Sequence, residues 1–433
     1  MRKSLFILIL VVALMLTATA VSAQVPGPGG PYNTGFTIQN LETQSTNCTF
    51  NLYNGAGVSQ YQSSAISVAA SGSYFVYVGN LPISSGQYSA VIACDRQVAA
   101  VANTTGVSSA ASYSGIDAAD VATVLYAPGV YKGYYGFTSN VVVQNTSSAP
   151  INITLEIFAP GNSTAIATFT ENNVPANASV NFDQAAESFA GGLYSAKITG
   201  TGAIAAAVNI WNAAGQLYSY NPFASSGSGN IAYAPVLMNN YYGFNTALTV
   251  QNLGTSTTQV RVTYSNGATN TQNIAGSSSL LFYTPNEGLP SGFLGSAKVE
   301  VLSGGPIVAL VNESSTTNRA ASYNGFKEGT TTANAPIVLK TYYGYSTSIT
   351  CQNVGGSAAN ITVNYSNGAS ETLNNIPANG TALFFQPNTA GLPSSFNGSA
   401  IINSAQSIVC VVNENQVSNP AAQDWLLAYN AIQ

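Results

Sequence analysis

The chain has 433 residues and not one is histidine. That absence removes Ser-His and Cys-His dyads and any His-ligated zinc site. Charge is nearly as scarce, since ten Lys and Arg with fifteen Asp and Glu make up 6% of the residues. The five Asp (Asp95, Asp117, Asp120, Asp183 and Asp424) lack the alternating spacing of a calcium loop. Glu313 and Glu414 fall at matching places 101 residues apart, in what the repeats below mark as separate domains, so they do not form an acid and base pair around one bond. The composition leads us to expect neither an enzyme nor a cofactor nor a metal. A sparse, net acidic surface also gives polyphosphate nothing to hold, which argues against nucleic acid as a partner. Disorder is not expected either, because 46% of the residues are hydrophobic and strand-forming Val, Ile, Thr, Tyr and Phe abound.

Long apolar runs are missing except at the start. Residues 1 to 23 open with Arg2 and Lys3, continue through an apolar run from Leu5 to about Leu16, and end with Val21 and Ala23 at the small-residue positions of a cleavage site. That is the pattern of a secretory signal peptide. The run is shorter than the roughly 20 residues a spanning helix needs. No membrane span is expected in the mature chain, and no Cys follows the run to carry a lipid. Removal of Arg2 and Lys3 leaves eight basic against fifteen acidic residues. The expected location is extracellular or the cell surface.

What the chain does contain is one pattern written four times. PYNTGFTIQN (31–40), GFTSNVVVQN (136–145), GFNTALTVQN (243–252) and GYSTSITCQN (344–353) share alternating apolar residues and a closing Gln-Asn. Gln39, Gln144, Gln251 and Gln352 stand 105, 107 and 101 residues apart. A second block begins at Ser-Ala and ends at Asn103, Asn209, Asn312 and Asn413. Two blocks keeping step through four copies mark tandem domains of about 100 residues. Their expected extents are 24–123, 124–230, 231–332 and 333–433, with ASSGSGN (224–230) and GTTTAN (329–334) as short links.

Within a copy the period is two. Val260, Val262 and Tyr264 face one way against Arg261 and Thr263, and Ala297, Val299 and Val301 oppose Lys298 and Glu300. Turn signals such as Ser265-Asn266-Gly267 and Ser303-Gly304-Gly305-Pro306 separate seven or eight short strands. The expected class is all-β: four tandem immunoglobulin-like antiparallel β-sandwich repeats after the signal peptide, with a small Greek-key barrel as the alternative repeat fold. Ala-Pro before an apolar run, at 234 and 335, marks an edge strand.

The candidate sites are few. Cys48 and Cys94 fall in the first copy, Cys351 and Cys410 in the last, and pairing within each copy suits an exported protein; buried thiols or links between chains are the other options. Tyr134-Tyr135, Tyr241-Tyr242 and Tyr342-Tyr343, each followed by Gly, offer either packing between domains or aromatic faces for a ligand such as a sugar. The recurring Asn is expected to open a turn by bonding its own backbone. Lys197 and Lys298, opposite Asn209 and Asn312 in a predicted hairpin, raise the possibility of side-chain isopeptide links.

In plan the mature chain resembles bacterial or archaeal exported and surface proteins built of tandem immunoglobulin-like sandwiches. The resemblance lies in the repeated QN and Ser-Ala to Asn blocks as architecture, and it implies a noncatalytic scaffold, adhesin or cell-envelope component. Its partners would be itself, other cell-envelope proteins or glycans. A noncatalytic accessory of an exported enzyme or transport system is a third option.

Overall fold

The computed structural model of the protein describes residues 6–10, 31–118, 120–416 and 424–433. It is 64% strand and 3% helix, arranged in several antiparallel sheets. The segment 231–332 shows the local logic most plainly. Its eight strands are Ile231–Asn239, Phe244–Asn252, Thr258–Tyr264, Thr269–Ile274, Ser279–Tyr283, Phe293–Ser303, Ile307–Ser315 and Ala320–Asn324. One sheet orders them first, sixth, third, fourth; the other orders them fifth, second, seventh, eighth. In the third strand Val260 and Val262 are fully buried while Arg261 is exposed, the alternation expected of a sheet with one face in the core.

The same ladders recur on either side. In 122–224, Gly192–Trp211 is one continuous strand whose first half pairs with Ala122–Lys132 and Ile151–Phe158 and whose second half pairs with Thr138–Asn145 and Leu217–Tyr220. Phe396–Gln416 does the same near the C-terminus. In 231–332 the corresponding strand is interrupted at Gly304-Gly305-Pro306, where Gly304 takes a φ of 105° and Pro306 has no N–H for the ladder.

The seventh-strand runs Val98–Ala102, Ile204–Val208, Ile307–Val311 and Ile408–Val412 are buried at every residue. Unbroken apolar runs of this kind belong to strands covered on both faces. The cover is visible within each of the two compact units, Met1–Ala159 with Thr164–Ser226, and Pro160–Ser163 with Gly227–Gln433. In the second unit one apolar cluster runs from Leu248, Val260, Phe282 and Val299 to Val409, Val411, Leu426 and Ala428. The two copies in this unit therefore do not each close a wholly private core. The outward faces of the seventh and eighth strands near the C-terminus are themselves apolar and gain by leaving water together with the neighbouring core. In the first unit Ala111 meets Trp211, Leu217 and Tyr32 in a smaller cluster of the same kind.

A tyrosine from the eighth strand clasps the first strand in three places. The Tyr220 hydroxyl donates to Gly129 O at 2.9 Å and accepts from Gly129 N at 3.2 Å. Tyr323 does so at Val236, 2.6 and 3.0 Å, and Tyr429 at Ile337, 2.6 and 3.1 Å. Each clasped residue follows a proline. Pro128, Pro235 and Pro336 lie inside the first strands, where the ladder skips register, and not at their starts as the Ala-Pro pattern suggested. Proline breaks the pairing, and the phenol takes up both backbone groups of the next residue. The GTTTAN link is also corrected: the strand Thr330–Lys340 begins within it, consistent with the strand preference of three successive Thr.

The signal peptide proposed for residues 1–23 lies outside the described residues except for Phe6–Leu10. That segment occupies the first-strand place beside Tyr88–Cys94, with Leu10 opposite Ala90 and Leu8 opposite Ile92. Ile231–Asn239 has the equivalent register, with Ala234 opposite Ala297 and Ala232 opposite Val299. A chain lacking residues 1–23 should therefore lose protection at those amides of Tyr88–Cys94 that face Phe6–Leu10, by about tenfold or more in hydrogen exchange, while amides facing Thr46–Asn54 keep theirs. Unchanged protection along the whole strand would show that the place is filled by something else.

Candidate functional site

The repeated Gln-Asn pairs end the second strands, and the Asn is a structural joint. Asn40, Asn145, Asn252 and Asn353 are all fully buried. Their Oδ1 atoms accept from the N–H two residues on, in Glu42, Ser147, Gly254 and Gly355, at 2.9 to 3.0 Å. This is the expected Asx-type turn. The Nδ2 groups reach further than the sequence suggested. Asn145 donates to the carbonyls of Ala149, Val174 and Pro175 at 2.8, 2.9 and 3.0 Å, and Asn353 donates to Ser357, Ile376 and Pro377 at 2.8, 2.9 and 3.3 Å. Each amide thus joins the turn after the second strand to the end of the fourth.

In the second and fourth copies the Gln beside it serves the seam with the preceding copy. Gln144 Nε2 donates to Ser89 Oγ at 2.8 Å, and Gln352 Nε2 to Ala297 O at 3.4 Å. Ser296 Oγ adds a bond to Asn379 O at 2.9 Å. Gln352 is fully buried, yet its Oε1 has no hydrogen-bond partner among the described residues.

The three tyrosine pairs sit at the hairpin joining the first and second strands. Tyr134 and Phe137 exchange backbone hydrogen bonds across Tyr135-Gly136, as do Tyr241 with Phe244 and Tyr342 with Tyr345. Tyr135, Tyr242 and Tyr343 have φ of 47°, 48° and 48°, and the glycines after them 82°, 80° and 85°. Two successive positive φ values make a type I′ turn, which favours Asn-Gly. A tyrosine there costs about 1–2 kcal/mol in backbone strain. Yet the side chains are 86%, 87% and 84% exposed. The preceding ring of each pair is half-buried and meets its neighbour edge to face at 4.7 to 4.8 Å. In the first copy the nearby Tyr32 is buried.

Both disulfides form within their own copies: Cys48 bonds Cys94, and Cys351 bonds Cys410. The cysteines of each pair lie directly opposite on adjacent strands, third with sixth in the first case and second with seventh in the second. The isopeptide idea meets a different geometry. Lys197 lies 3.4 Å from Glu156 and Lys298 2.8 Å from Glu300, whereas Asn209, farther along the same continuous strand as Lys197, and Asn312, in the other sheet from Lys298, are held by Ser219 and Ser322.

Two clusters at the seam of the second unit were not visible as clusters in the sequence. Arg261 and Lys298 both pair with Glu300, at 2.9 and 2.8 Å, and line a crevice of 410 Å³ closed on its far side by Gln352 and Asn379. Hydrogen bonds from Lys298 and Arg261 hold the Glu300 carboxyl below its ordinary range. Elsewhere on the seam, the fully buried Glu313 accepts from Asn413 Nδ2 at 2.5 Å, and its other oxygen has no hydrogen-bond partner among the described residues. Burial pushes its pKa up to about 8, against a smaller lowering by the Asn413 bond.

No family model matches the chain, and no curated protein matches it. Among solved structures, Thermotoga maritima 1070 is similar at 18% identity over 23% of this chain and 93% of that one, with a TM-score of 0.20. A tetra-tandem repeat in the extending region of a large adhesion protein is similar at 14% identity over 93% of this chain and 95% of that one, with a TM-score of 0.11. At these scores neither likeness assigns a fold or a role.

The Glu313 environment has a pH consequence. The folded state keeps this proton up to about pH 8, whereas an unfolded Glu releases it near the ordinary value of about 4.3. The folded chain binds more protons across that window, so the contribution of Glu313 is complete below it and is lost as pH rises through it. In denaturant unfolding followed from pH 4 to 9, Glu313→Gln should flatten this loss while leaving acid stability nearly unchanged. Equal slopes for the two proteins would contradict the assignment.

Proposed function

We propose that the protein is an exported structural or adhesive repeat protein, made of four immunoglobulin-like sandwiches, that acts through noncatalytic contacts with itself or with cell-envelope partners. The observation that carries this reading is the set Tyr135, Tyr242 and Tyr343, three exposed rings held at positive φ on equivalent hairpin tips. Asn would fit such turns with less strain, so stability alone does not account for three tyrosines. Phenol rings pair a large apolar face with a hydroxyl, which suits contact with another protein surface. Further support comes from Tyr74, Phe75 and Tyr77, which are 43%, 54% and 38% exposed on the edge strand Ser73–Tyr77. An edge strand offers unpaired backbone groups to a neighbour. Two disulfides, and the lack of any described helix long and apolar enough to cross a membrane, are compatible with life outside the cell.

A glycan-binding adhesin using the same tyrosines is the second reading, favoured by their exposed faces. Sedimentation of the purified protein over a concentration series addresses the first. Wild type should associate, and the triple variant Tyr135→Asn, Tyr242→Asn, Tyr343→Asn should keep or raise its melting temperature while its association weakens about tenfold or more. A wild type that stays monomeric with and without envelope material, or a variant that associates equally well, would overturn the self-assembly reading. A glycan array signal removed by the same variant would favour the second.

A further inference from the structure

In a chain with so few charges, three of them converge on one crevice. Arg261 and Glu300 face each other across the third and sixth strands, and Lys298 lies on the same strand as Glu300, two residues away and so on the same face. The opposite wall comes from the next copy: Gln352 at the end of its second strand, and Asn379 with a φ of 60° in the turn before its fifth strand. At the matching strand positions of the first copy stand Thr49, Val91 and Ala93, so the charged trio is particular to the seam of the second unit. Nothing in the sandwich requires it, since the ion pairs lie on the outer side of the strands with Arg261 44% exposed. Surface pairs of this kind add little stability.

We propose that this crevice binds a neutral saccharide unit. The donors and acceptors lining it decide the class. Arg261 and Lys298 present N–H donors, Glu300 presents a carboxylate, and Gln352 brings a fully buried carbonyl oxygen that no protein group satisfies. An acceptor-only anion such as sulfate would meet cations already paired by Glu300, and would face two uncompensated acceptors. A cation would meet two positive charges. A ligand whose neighbouring hydroxyls both donate and accept can answer all four groups, giving protons to Glu300 and Gln352 while accepting from Arg261 and Lys298. Charge-assisted hydrogen bonds of this type are stronger than neutral ones. The volume of 410 Å³ lies within the range of small-ligand sites. The site joins two copies, so it exists only while the seam is closed. It is separate from the tyrosine hairpins and stands or falls independently of self-assembly.

Saturation-transfer NMR on the full protein with D-glucose, D-galactose, D-mannose and N-acetyl-D-glucosamine, each presented alone, tests this. At least one should bind, with a Kd on the order of 1 mM for a single sugar unit. Glu300→Gln, a surface change that leaves the core untouched, should weaken that binding about tenfold and at the same time create binding of sulfate, because two cations lose their carboxylate. Gln352→Leu, checked for an unchanged melting temperature, should also weaken the sugar but gain no sulfate. Lys197→Ala, which does not line the crevice, should change nothing. Absence of transfer from all four sugars, sugar binding that survives Glu300→Gln, or sulfate binding to the wild type in their place would each overturn the proposal.

Discussion

Each copy of the repeat depends on one buried amide. The Asn closing the second strand, at 40, 145, 252 and 353, uses Nδ2 to hold carbonyls from the following turn and from the end of the fourth strand, and uses Oδ1 to hold a backbone N–H. These backbone groups sit where ladders end and water is excluded, so they need a partner supplied by a side chain. Asparagine supplies donor and acceptor at once without a charge. A carboxylate could only accept, and burying it would carry a desolvation cost.

The same economy governs the rest of the molecule. Many of the internal needs are met with neutral groups: phenols clasp the backbone after Pro128, Pro235 and Pro336, and Gln144 and Gln352 bridge the copies, while the buried Asp424 and Arg319 are charged groups used in the same way, on Ala320 N and Asn415 Oδ1. Where a charge is buried, it shows. Glu313 keeps its proton to about pH 8 and accepts a hydrogen bond from the Asn413 amide. Charge in the open is confined to small groups such as Arg261, Lys298 and Glu300, which leaves hydroxyls, amides and exposed aromatic rings as the chief means of contact with other molecules.

Much of the architecture could be read from the chain. Val260 and Val262 alternate against Arg261 because one face of their sheet is wet, and the structure keeps that pattern. The Asn of each Gln-Asn pair opens a turn as its side-chain chemistry requires, and the cysteines pair within their copies because those strands are neighbours. What stayed hidden needed three dimensions. The Tyr323 clasp joins residues 87 apart in sequence, and only the register break at Pro235 exposes the groups it holds. Arg261, Lys298 and Glu300 looked like ordinary outward residues, since the wall that makes them a crevice comes from Gln352 and Asn379 in the next copy. The double burial of Val409 and Val411 likewise depends on a neighbouring core. For the tyrosine hairpins the residues were legible, but which ring faces solvent was not, because that is set by the positive φ at Tyr135, Tyr242 and Tyr343.

The direct test of the central claim is denaturant unfolding of Asn252→Ala beside Asn266→Ala. The first removes the amide that holds Ser256 O, Ile274 O and Gly254 N; the second removes an exposed turn cap on Ala268 N. With several buried backbone groups left unpaired, Asn252→Ala should lower the unfolding free energy by more than about 2 kcal/mol, and the exposed change by well under about 1 kcal/mol. Similar small losses in both variants would contradict the account.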